Sequence, residues 1–121
     1  MSSVMIVEDD KDLLNLYRIA LSKKGREIAT LSEGTSALDM LQNPTFNPDV
    51  IFMDINMTTG ISGFALMNWI RQDPRLNCVP VVVMTANDLY RDSALKAGAR
   101  VFLTKPVRIA EIAALANKLG G

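Results

Sequence analysis

The chain has 121 residues, in which thirteen lysines and arginines balance thirteen aspartates and glutamates, and it contains no histidine. That length suits one domain with one core, and the zero formal charge speaks against broad electrostatic binding of nucleic acid or acidic membranes. Without histidine there is no Ser-His or Cys-His nucleophile and no imidazole metal site, and the single Cys78 excludes an intrachain disulfide or a thiolate zinc cluster.

Met1-Ser2-Ser3 has no charged leader, and the longest apolar run, Cys78 to Met84, contains Pro80 and is too short to span a bilayer. A cytoplasmic protein is therefore expected. Val4-Met5-Ile6-Val7 is a continuous apolar run stopped by Glu8-Asp9-Asp10, the pattern of a strand buried on both faces. Lys11 to Lys24 has helical period, with Leu13, Leu14, Tyr17, Ala20 and Leu21 on one stripe, and Gly25 is expected to end it. Arg26 to Leu31 reads as a weaker strand, and Gly34 to Gln42 as a helix presenting Ala37, Leu38 and Leu41. Asn43-Pro44 and Asn47-Pro48 bracket a loop before Val50-Ile51-Phe52-Met53, a second buried strand that ends at Asp54.

Thr58 to Ser62 reads as a loop, Phe64 to Gln72 as a helix closed by Asp73-Pro74, and Val79 to Met84 as a third buried strand ending at Thr85. Asn87 or Asp88 can cap a helix reaching Gly98, and Arg100 to Leu103 is a short strand ending at Thr104-Lys105-Pro106. Val107 to Leu119 is the final helix, with Ile109, Ile112, Ala113, Ala116 and Leu119 turned inward and Ala110, Ala114 and Leu115 off that stripe. Met5, Met53 and Met84 belong to the core, and Cys78 reads as an inert small residue ahead of a buried strand. Repeated strand-then-helix units imply one α/β domain over residues 1–121, a parallel sheet with helices on both faces.

In such a sheet, ligands bind beyond the carboxyl ends of the strands. There the chain delivers Glu8-Asp9-Asp10, Asp54, Thr85 and Lys105. Each has a plain structural reading: Asp9, Asp10 and Thr85 can cap helices, and Lys105 can be a solvated loop charge. Their arrival on one edge is the argument for a site. Several carboxylates beside one lysine need protonation or a cation, and an all-oxygen donor set selects a hard ion, Mg²⁺ first. Mg²⁺ and an ammonium group together suit phosphoryl transfer, in which an aspartate can be the nucleophile and a threonine hydroxyl can bond a phosphoryl oxygen.

Ile6-Val7-Glu8-Asp9-Asp10, Val50-Ile51-Phe52-Met53-Asp54-Ile55-Asn56-Met57, Val83-Met84-Thr85-Ala86 and Phe102-Leu103-Thr104-Lys105-Pro106 follow in this order along the chain. Together they resemble the receiver domain of two-component response regulators over essentially the whole length. The resemblance implies a flavodoxin-like (βα)5 fold with an open parallel sheet in strand order 2-1-3-4-5. It implies that Asp54 is the phosphoacceptor, served by a sensor histidine kinase or a histidine phosphotransfer protein. Asp9 would ligate Mg²⁺ directly and Glu8 through water, with Asp54 and the backbone carbonyl of Asn56 completing the protein's share of the shell. Lys105 would pair with the phosphoryl oxygens, Thr85 would move to bond one of them, and Phe102 would follow as the switch aromatic. The Lys105-Pro106 bond would be cis.

The implied function is a phosphorylation-dependent signalling switch, an enzyme only toward its own phosphorylation and slow self-dephosphorylation. Output would pass through the fourth helix, fifth strand and fifth helix, a candidate face for a homodimer or a downstream protein, with no direct nucleic-acid or membrane role. No effector domain is expected. The family usually has Met-Pro after the acceptor aspartate and a glycine eight residues on. Here Thr58 stands in place of the proline and Gly63 lies nine residues on, so the Thr58–Ser62 loop is expected to be one residue longer. Two other readings compete. A receiver-like scaffold acting without phosphorylation has no use for the complete set of site residues. An aspartyl-nucleophile Mg²⁺-dependent phosphatase needs a general acid where Asn56 stands, and a cap for which 121 residues leave no room.

Overall fold

Five strands, β1 (Ser2–Val7), β2 (Arg26–Leu31), β3 (Val50–Asp54), β4 (Val81–Thr85) and β5 (Val101–Thr104), form one parallel sheet in the order β2-β1-β3-β4-β5. The computed structural model describes residues 2–57 and 60–120; Thr58 and Thr59, in the loop expected to be longer, lie outside the described residues. The helices are α1 (Lys11–Leu21), α2 (Gly34–Leu41), α3 (Gly63–Gln72), α4 (Arg91–Lys96) and α5 (Ile109–Gly120).

The continuous apolar runs of β3 and β4 are buried along their whole length. A strand shows successive side chains to opposite faces, so these runs feed two cores. On one face Val4, Ile6, Val50, Phe52, Val82 and Met84 pack against Tyr17 and Leu21 of α1 and Ile112 and Ala116 of α5. On the other, Met5, Val7, Ile51, Met53, Val81 and Val83 meet Ala37, Leu41, Leu66, Met67, Ile70 and Ala94. Met5, Met53 and Met84 are all fully buried, as the sequence implies.

Several boundaries differ from the sequence reading. α1 stops at Leu21, where Ser22 turns extended and its hydroxyl donates to the Arg18 carbonyl. Gly25 closes no helix; it takes φ +80 in the turn that starts β2, where the Arg26 N–H donates to the Lys23 carbonyl. β4 begins at Val81, leaving Cys78 exposed in the preceding turn. The fourth helix is split, because Asn87 caps a short 3-10 turn (Asp88–Tyr90) before α4 begins. Leu115, expected off the inward stripe of α5, packs partly buried against the core.

The glycine at the head of α3 is dictated by packing. A Cβ on Gly63 would lie 2.6 Å from the Ile55 Cα, so α3 could not approach the end of β3. Replacing Gly63 by alanine forces backbone apart where nothing flexible can yield. Gly63→Ala is expected to cost about 1–3 kcal/mol, read as a lower urea midpoint, with displaced amide resonances at Ile55 and Asn56.

Candidate functional site

The sheet register decides what meets at the carboxyl edge. Val7 of β1 stands opposite Met53 of β3, so the next rung brings Glu8 beside Asp54. Thr85 of β4 stands opposite Thr104 of β5, so Lys105 emerges one residue beyond it. Of the acidic triplet, Asp10 is used structurally: it caps α1, its carboxylate accepting from the Asp12 and Leu13 N–H groups at 3.0 and 3.1 Å. Such a cap satisfies donors that the first turn leaves open. Glu8 and Asp9 face the site. One oxygen from each of Glu8, Asp9 and Asp54 falls within 4.8 Å of the others.

Lys105 is the cation among them. Its Nζ donates to Glu8 Oε1 at 2.5 Å and to Asp54 Oδ2 at 2.8 Å. Burial alone would lower the Lys105 pKa, but the bonds to Asp54 and Glu8 outweigh it and hold the ammonium above the ordinary lysine value. The other Asp54 oxygen, Oδ1, accepts the Asn56 backbone N–H at 2.8 Å. Glu8 is fully buried, and that desolvation raises its pKa to about 7 despite the lysine. Three carboxylates against one ammonium leave an excess of negative charge that invites a second cation.

The buried glutamate makes the ion-free protein sensitive to pH. A raised carboxyl pKa means that the folded chain keeps a proton which the unfolded chain has already lost between the ordinary value of 4.5 and about 7. Folding stability is therefore greatest below that window and falls as pH rises through it, by up to about 1.4 kcal/mol per pH unit. Urea unfolding in chelator from pH 5 to 8 should show this decline, and Glu8→Gln should flatten it. A midpoint that rises with pH in both proteins would refute the assignment.

Thr85 ends β4 fully buried. Its Oγ1 accepts from the Asn56 side-chain Nδ2 at 2.6 Å and from the Asn87 N–H at 3.3 Å. On the facing strand, directly opposite, the Thr104 hydroxyl donates to Asp88, tying β5 to the turn after β4. Phe102 is buried in the core beneath the Arg91 guanidinium, which lies 4.8 Å from the ring centroid, so the aromatic already occupies an inward position. The Lys105–Pro106 peptide is cis.

Every residue singled out at the strand ends thus comes to this edge, and the Asn56 side chain and the Asn87 N–H join them. The sequence held no signal for these two, because a lone asparagine after a strand reads equally well as a turn former. A further unanticipated feature is a groove of about 440 Å³ running from Lys105 and Ala86 along Pro106, Val107 and Ile109 to Leu13, Leu16 and Tyr17 of α1. Leu16 and Ile19 of α1 are 45% and 56% exposed. Their signal was present as apolar residues off the inward stripe of an otherwise amphipathic helix.

Residues 4–117 match the family model described as the response regulator receiver domain. The chain belongs to the response regulator receiver family. The receiver domain is 31% identical over 109 residues to the polar-differentiation response regulator DivK of Brucella ovis, covering 88% of this chain and 86% of that protein. The Francisella response regulator 1452 receiver domain superposes with a TM-score of 0.84 at 26% identity, over 98% of this chain and 96% of that one. The chemotaxis response regulator CheY4 of Vibrio cholerae shares the fold, with a TM-score of 0.86 at 23% identity over 98% of both chains. The receiver is thus a two-component signalling domain with the flavodoxin-like strand order that its motifs imply. Among the described residues no helix is long and apolar enough to cross a membrane.

Proposed function

We propose that this receiver takes a phosphoryl group onto Asp54 with the help of Mg²⁺ and so changes the protein surfaces it offers to partners. The observation that carries this reading is the gathering of Glu8, Asp9 and Asp54 within 4.8 Å beside the Lys105 ammonium. The donor set fits the ion, since it is all oxygen, holds excess negative charge and contains neither histidine nor thiolate. Glu8, Asp9, Asp54 and the Asn56 carbonyl would hold it. When bound, Mg²⁺ neutralises charge on the phosphoryl group in transfer.

The chain's own groups do the rest. An Asp54 oxygen attacks phosphorus while the bond to the donor nitrogen breaks and its electron pair leaves on the imidazole. The donor histidine belongs to a sensor kinase or phosphotransfer protein, because this chain has none. Lys105, bonded to Asp54 at 2.8 Å, is positioned to follow charge onto the phosphoryl oxygens. The groove from Lys105 to Leu13 and Leu16 supports a docking place for the donor's helix, since it opens directly beside the acceptor. For output we propose the face of α4, β5 and α5, where Leu89 of the preceding turn is 87% exposed and Leu95 43%. The same face would serve a downstream protein or a second copy. The reading sets the domain in the cytoplasm, where two-component kinases phosphorylate their regulators.

Intact-mass analysis after incubation with acetyl phosphate tests the core of this reading. A single phosphoryl adduct that requires Mg²⁺ and is removed by hydroxylamine is expected. Absence of an adduct in saturating Mg²⁺ would overturn it. Amide exchange in beryllofluoride and Mg²⁺ tests the output face, where protection should change within residues 87 to 118; changes confined to α1 and α2 would move the output elsewhere.

A further inference from the structure

Thr85 Oγ1 receives two N–H donors, the Asn56 side-chain amide at 2.6 Å and the Asn87 backbone at 3.3 Å. A hydroxyl has two lone pairs and one proton, so both acceptor places are filled and only the capacity to donate is left. Asn56 is itself tied to the acceptor, its N–H donating to Asp54 Oδ1 at 2.8 Å. One short segment therefore binds Asp54 through its backbone and Thr85 through its side chain.

We propose that the Asn56 side chain is a positioning residue that sets the Thr85 hydroxyl as a pure donor toward an acceptor-only group on Asp54. The inference rests on the phosphoacceptor reading above and deepens it. A phosphoryl group presents acceptors alone, so a hydroxyl held with its lone pairs already engaged meets it without first reorienting. Without the amide, the hydroxyl gains a free acceptor place and can rotate to give its proton to a neighbouring carbonyl. Asn56 acts through Thr85 and separately from the metal, toward which only its backbone carbonyl is assigned.

Beryllofluoride is the probe, titrated in saturating Mg²⁺ and followed by amide resonances around Asp54. Asn56→Ala is expected to weaken its binding about fivefold, the size of one ordinary hydrogen bond. In a Thr85→Ala background the same substitution should have no further effect, and in Thr85→Ser, which keeps the hydroxyl, the loss should return. An equal loss with and without the Thr85 hydroxyl, or tighter binding in Asn56→Ala, overturns the proposal while leaving Asp54 as acceptor. Failure of the unsubstituted protein to bind the probe overturns the phosphoacceptor reading itself.

Discussion

Asp54→Asn is expected to abolish the phosphoryl adduct and, in the same protein, to raise stability in the absence of Mg²⁺. The amide has the shape of the carboxylate but cannot form an acyl phosphate. It also removes one of three like charges whose oxygens lie within 4.8 Å. In chelator at pH 8 the gain should be about 1 kcal/mol, because the relieved repulsion is partly offset by the lost bond to Lys105. Mg²⁺ affinity should fall at least tenfold, since the ion loses a ligand and much of the field that draws it. Mass analysis, urea unfolding and a metal titration read the three effects. A persisting adduct would show that another group is phosphorylated.

Lys105 carries the second large effect. As a strand-end charge in the sequence it reads as expendable to the fold, but in the structure it holds the fully buried Glu8 at 2.5 Å with its own side chain only 15% exposed. Breaking a buried pair leaves an uncompensated charge, which costs about 3–5 kcal/mol in general. Lys105→Met should therefore cost about 3 kcal/mol at pH 8 in chelator, where Glu8 must ionise alone. The loss should shrink toward pH 5, where Glu8 keeps its proton, and in Mg²⁺, which replaces the missing cation. Mg²⁺ affinity itself should rise, because the competing ammonium is gone. Denaturation midpoints across pH, with and without Mg²⁺, decide this; a cost independent of both would mean that the lysine matters through packing of its stem.

Glu8 shows where sequence reasoning ran short. Its place in the acidic triplet was legible, and so was the excess of carboxylates over cations. The residue pattern alone left open whether Asp9 or Asp10 caps α1; the resemblance put Glu8 and Asp9 toward the ion, and the structure turns those two to the site while Asp10 makes the cap. The Asn56–Thr85 bond was equally hidden, because the two residues are 29 apart in sequence and meet only through the β3–β4 register.

From the sequence alone, the apolar runs determined the strands, their continuity determined burial on both faces, and their alternation with helical periods determined a parallel α/β sheet. The acids, threonine and lysine that close those runs determined which edge carries the chemistry. These are properties of local pattern, and local pattern survives without knowledge of neighbours. The tertiary structure alone decided where α1 ends, that the fourth helix is split, that Leu115 packs inward and that Cys78 lies in water. It alone paired Lys105 with both Glu8 and Asp54 and filled the lone pairs of Thr85. Those outcomes depend on strand register and on which side chains share a low-dielectric space, and both are set by contacts between residues far apart along the chain.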